Sequence, residues 1–77
     1  MKKKAGYTRR KVKKSFKYYD IDGEEITDQK VIERIQKLVI PPNWDNVWIA
    51  KSSRNNLQAF GFDQKGRKQY IYHTNFV

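Results

Sequence analysis

The sequence contains no cysteine, a single histidine and no acidic residue in its first 14 positions. Without cysteine there is no disulfide scaffold, no thiol nucleophile and no thiolate zinc site. One histidine among scattered carboxylates makes any other metal site poor. The four glycines are spread apart, and Gly61 and Gly66 stand alone, so no glycine-rich phosphate cradle is present. No apolar run approaches the roughly 18 residues that span a bilayer. The basic start is not followed by an apolar stretch, which excludes a secretory signal. At 77 residues the chain has room for one small domain. A domain of this size buries only about 60% of its unfolded surface, so its core is thin and a deep catalytic cleft is not expected.

Hydrophobic residues make up 38% and aromatic residues 14%, enough apolar material to fold. The formal net charge is +9 from 17 basic and 8 acidic groups. Eight of those bases (Lys2, Lys3, Lys4, Arg9, Arg10, Lys11, Lys13 and Lys14) lie in residues 1–14, leaving 9 bases against 8 acids in residues 15–77. So dense a block of like charge repels itself and reads as a flexible basic arm preceding a nearly neutral domain over residues 15–77. Its use would be phosphate contact, weakened steeply by salt, although a solubilising tail has the same composition. A second cluster, Lys65, Arg67, Lys68 and His73, is interleaved with Tyr70 and Tyr72 and has no acid. Basic and aromatic residues on one strand suit nucleic acid; a surface hairpin with packed tyrosines would look the same. The balance points to a cytoplasmic protein with a polyanionic partner.

Phe16–Asp20 reads as a strand, Asp22-Gly23 as a hairpin turn with positive φ at both positions, and Glu24–Ile26 as the returning strand. Thr27 or Asp28 caps a helix in which Val31, Ile32, Ile35, Leu38 and Val39 recur on one face. Pro41-Pro42 ends it. Val47–Ala50, Leu57–Phe62 and Arg67–His73 read as strands, with a polar loop over Lys51–Asn56 and a glycine turn over Asp63–Gly66. The order β-β-α-β-β-β predicts an α+β domain, an antiparallel sheet of about five strands with one helix packed on a face.

No catalytic constellation is complete. His73 could act as a general base, but a histidine beside two tyrosines reads more readily as a packing or hydrogen-bonding residue; Asp20 and Asp22 look like turn residues, and Ser52 and Ser53 have no histidine near in sequence. For binding, the last strand is the best surface. Alternation puts Lys68, Tyr70 and Tyr72 on one face and Arg67, Gln69, Ile71 and His73 on the other. With Ile71 facing the core, Gln69 would reach a ligand from an edge, a bulge or the hairpin end. There its amide matches N6 and N7 of adenine in a major groove, while the tyrosine hydroxyls and Lys65 or Lys68 would hold phosphates.

The runs KYYDIDGEEITD, IPPNWDNVWIA (Ile40–Ala50) and LQAFGFDQKGRKQYIYH (Leu57–His73) resemble the N-terminal domain of type IB DNA topoisomerases, in the bacterial and poxvirus-like branch. The resemblance covers nearly all of residues 16–77. It implies a five-stranded antiparallel domain that forms one side of a clamp around duplex DNA and touches the major groove through its last hairpin. A mostly helical C-terminal catalytic domain would supply a tyrosine nucleophile and relax supercoils with no ATP, no obligatory metal and no cofactor. By position the family's DNA contacts fall on Lys65, Arg67, Gln69, Tyr70 and Tyr72, with Lys68 added from the alternation above; no catalytic residue is expected in this chain. Phe60 and Phe62 stand where bacterial relatives often carry Thr and Arg, which removes a potential phosphate contact. The apolar end at Phe76-Val77, straight after a strand, is that expected of a piece of a longer protein. A monomer in the bacterial cytosol or nucleoid, with no membrane partner, is expected. The alternatives are a stand-alone RNA- or single-strand-binding module and a purely structural domain.

Overall fold

The computed structural model describes residues 5–73. Its elements are β1 (Gly6–Val12), β2 (Ser15–Tyr19), α1 (Gln29–Lys37), β3 (Asp45–Ala50), β4 (Leu57–Phe62) and β5 (Lys68–Tyr72). The strands form one antiparallel sheet in the order β2-β1-β3-β4-β5. This is the expected α+β architecture, with the expected element order.

The strand that opens that order is not the expected one. Residues 6–12, assigned above to a flexible arm, form β1, paired with β2 on one side and β3 on the other. The arm expectation over residues 1–14 therefore fails at these positions; residues 1–4 lie outside those described. Charge density hid a strand whose ladder is completed from both sides. Lys13, with φ 57, makes the tight β1–β2 turn. The Asp22-Gly23 turn is also different from expectation. Only Gly23 adopts positive φ, at 84, and the Gly23 N–H donates to the Asp20 carbonyl at 3.0 Å. The returning segment makes one bridge, Tyr19 to Glu25, rather than a strand.

Asp28 caps α1, accepting from the Lys30 N–H at 2.9 Å. The helix ends at Lys37, before the prolines act, because Val39 turns left-handed with φ 53. Val39 is consequently 79% exposed and leaves the apolar face assigned to it. Ile35 is the helix's one fully buried residue. It packs with Val47, Ile49 and Ala59 into a core flanked by Val31, Leu38, Trp44 and Ile71. These side chains come from one face of the sheet, so α1 covers that face.

Arg9 fastens the proline loop to this side. Its guanidinium donates to the carbonyls of Ile40 (3.3 Å), Pro41 (2.9 Å) and Trp44 (3.0 Å) and lies 4.2 Å over the Phe16 ring. Burial lowers its pKa from the usual value, opposed by Tyr18 and Asp45. Arg34 does similar work at the polar loop, donating to the Lys51 and Ser52 carbonyls and, at 2.7 Å, to Gln58 Oε1. Gln58 sits buried at a bulge in β4 and returns bonds to the Ser52 and Asn55 carbonyls.

Candidate nucleic-acid interface

The face of the sheet opposite α1 carries a row of aromatic residues, while Tyr7, Tyr18 and Trp44 pack on the α1 side. Cross-strand neighbours share a face, and the register threads one row through all five strands: Tyr19 opposite Thr8, Thr8 opposite Trp48, Trp48 opposite Phe60, Phe60 opposite Tyr70. Trp48 and Phe60 stack with centroids 5.4 Å apart and planes 19° apart. Tyr70 and Tyr72 stack at 6.1 Å. Lys68 Nζ lies 4.3 Å from the Phe60 centroid and 5.6 Å from that of Tyr70. At the other end of the row Arg10, opposite Lys17, lies 5.4 Å over Tyr19. A shallow concavity of about 680 Å³ opens among Arg10, Tyr19, Ile21, Trp48 and Phe60.

Gly6 makes this flat packing possible. A Cβ there would sit 2.5 Å from Trp48 Nε1 and 2.6 Å from the Ile49 carbonyl oxygen.

The β4–β5 hairpin is organised by Asp63. Oδ1 accepts the backbone N–H groups of Lys65 and Arg67, both at 2.9 Å. Oδ2 accepts Arg67 Nε at 2.9 Å and Gln69 Nε2 at 3.1 Å. Gly66, with φ 77, closes the turn. The Arg67 N–H and the other donors hold the Asp63 carboxyl down at about 2, well below its usual 3.8.

The six expected contact residues therefore divide. Lys68, Tyr70 and Tyr72 lie on the open face, the two tyrosines 48% exposed. Gln69 lies opposite Gly61, on the side covered by α1. Arg67 and Gln69 converge on Asp63, and Lys65 is exposed at the hairpin tip. Phe60 joins the aromatic row. Sequence reasoning missed Arg10, Tyr19, Trp48 and Phe60 as parts of one surface. Recognising them requires β1 as a strand and its register with β3. Among the described residues no group of three or more His, Cys, Asp or Glu could hold a metal ion, and no helix is long and apolar enough to cross a membrane.

Residues 15–63 match the family model of the bacterial DNA topoisomerase IB N-terminal domain. The chain belongs to this family. It is also 51% identical over 67 residues to the DNA topoisomerase 1B of Acanthamoeba polyphaga mimivirus, an alignment covering 87% of this chain and 20% of that protein. The chain thus spans about a fifth of the length of that relative. The family-model match runs from Ser15 to Asp63, so β1 and β5, which carry Arg10, Lys68, Tyr70 and Tyr72, lie outside that span, whereas the longer mimivirus alignment takes in residues beyond it.

Proposed function

We propose that this chain is the DNA-binding N-terminal jaw of a type IB topoisomerase, a monomer working in the cytosol or nucleoid. Its open face and last hairpin lie against duplex DNA. A separate C-terminal domain of the parent protein carries out tyrosine-mediated cleavage, supercoil relaxation and religation. The observation that carries this reading is the band of Lys68, Tyr70 and Tyr72 on the open face of a domain in this family. Arg10, Lys65 and Lys68 supply phosphate contacts and set the register. Gln69 lies on the α1 side of β5, and because β5 is the edge strand its amide reaches an adenine in the major groove around that edge. No residue here is the nucleophile.

Titration of the chain with duplex DNA, followed by backbone amide shifts, tests this. Residues 65–73 and the open-face positions Arg10 and Tyr19 are expected to move together. Shifts confined to Lys11–Lys14 would sink the groove-contact reading. The chain alone is expected not to relax supercoiled plasmid; relaxation by it would place catalysis here instead. The exposed Tyr70–Tyr72 pair also favours a second reading, stacking of unpaired bases. Competition between duplex DNA and single-stranded RNA separates the two.

A further inference from the structure

We infer that Asp63 is a specificity-positioning residue: one carboxylate oxygen builds the hairpin, and the other holds Arg67 out of general phosphate binding while orienting Gln69 toward a base. This rests on the DNA-binding reading above.

The division of labour is visible oxygen by oxygen. Oδ1 takes only backbone donors, the N–H groups of Lys65 and Arg67. Oδ2 takes only side-chain donors, Arg67 Nε and Gln69 Nε2. The Asp63 side chain is only 14% exposed, whereas that of Arg67 is 65% exposed. The carboxylate is therefore the fixed member, and the arginine is the one that can leave.

Two consequences follow for a bound duplex. First, Arg67 approaches DNA with its charge already matched by Asp63, so it adds little sequence-independent attraction. Second, a glutamine that gives one amide proton to Asp63 keeps its second N–H and its carbonyl oxygen, the donor–acceptor pair that an adenine edge requires. The bond to Asp63 settles which end of the amide is which. An unheld glutamine can present either end, and it loses that discrimination. Lys68 and Tyr70 lie on the opposite face of β5 from Gln69, so their phosphate and stacking roles do not run through Oδ2.

The test is Asp63→Asn. Asparagine keeps Oδ1 as acceptor for the two backbone N–H groups, but its amide nitrogen cannot accept from Arg67 or Gln69. The chain is expected to stay folded, with a cooperative melt. Duplexes are then selected from a pool randomised at the contacted positions. The parent is expected to prefer one base pair by roughly five- to hundredfold, the range of one good bidentate contact, and Asp63→Asn is expected to lose that preference. If the freed Arg67 takes a phosphate, the slope of log affinity against log salt steepens by about 0.9. In Gln69→Leu, adding Asp63→Asn is expected to change base preference no further, an outcome that a merely structural role for Asp63 would not produce. If Asp63→Asn folds poorly, Asp63→Glu keeps the charge, displaces it by one methylene, and is expected to lose the same preference. Unchanged preference and unchanged salt slope in Asp63→Asn would overturn the inference while leaving DNA binding intact. So would a parent that binds duplex with no base preference. Failure of the parent to bind duplex at all would instead remove the DNA-binding reading, and this inference with it.

Discussion

A chain beginning at Ser15 would keep every residue of the family match and yet is expected not to fold. β1 lies between β2 and β3, so its removal leaves β2 with no partner in the sheet and bares the β3 edge. The loss can be sized. Arg9 makes three bonds to loop carbonyls. Bonds from a charged donor are worth about 1.5–3 kcal/mol each when well buried; discounted for the half-exposed position, they total about 3 kcal/mol. Tyr7 packs against the core, and losing that burial adds about 1.5 kcal/mol. A domain of this size has roughly 5–10 kcal/mol in all, and the β1 ladder is lost as well. The graded version is Arg9→Ala, for which about 3 kcal/mol lowers Tm by about 10–20 °C. Far-UV circular dichroism melts and urea titrations read both. As a control, Lys11→Gln and Lys14→Gln remove charge at exposed positions and should stay within about 0.5 kcal/mol of the parent. A chain starting at Ser15 that melts cooperatively within about 5 °C of the parent would refute the structural role given to β1.

Ile35→Asp should unfold the domain, because Ile35 is 1% exposed and a buried carboxylate costs several kcal/mol, about the whole stability; a far-UV melt like the parent's would remove Ile35 from the core. Val39→Gly should raise stability by about 0.5–1 kcal/mol, since relief of the left-handed strain outweighs the extra chain entropy of glycine; a lower urea midpoint would contradict this. Gly6→Ala should destabilise by about 1–3 kcal/mol, as its Cβ meets the Ile49 carbonyl, which cannot step aside, and a near-UV spectrum with unchanged tryptophan signal would count against it. The Asp63 carboxyl is lowered to about 2, so its contribution is whole above the usual carboxylate value and fades as pH falls through about 2. The stability gap between the parent and Asp63→Asn should hold steady from neutral pH to about 4, then close; a gap that closes at higher pH would contradict the lowered value.

Much of the fold was legible. β4 runs over the expected residues Leu57–Phe62, α1 forms where the 3.6-residue period places it, and Gly66 turns the last hairpin. The faces of Lys68, Tyr70 and Tyr72 followed from a two-residue period alone. What was hidden depended on distant partners. β1 buries Arg9, and what makes that tolerable is a set of carbonyls more than 30 residues away; no local pattern signals it. Trp48 and Phe60 read as ordinary strand residues until the register stacks them. The bulge between Asp45 and Trp48, where Asn46 takes φ 50, breaks the simple alternation of β3. Val39 looked like a helix-face residue because periodicity cannot see where a helix unwinds.

The sheet order also bears on how the domain assembles. β1 and β2 form one local hairpin, and β3, β4 and β5 form one meander; a single seam, β1 against β3, joins them among the described strands. Closing that seam brings together segments separated by β2 and all of α1, so it carries most of the loop-closure entropy, while every other pairing is between neighbours in the chain. The folding barrier is therefore expected at the pairing of Gly6–Thr8 with Trp48–Ala50. Substitutions there should slow folding, whereas those at the β4–β5 tip should chiefly hasten unfolding, so that hairpin can vary with little effect on how fast the domain forms.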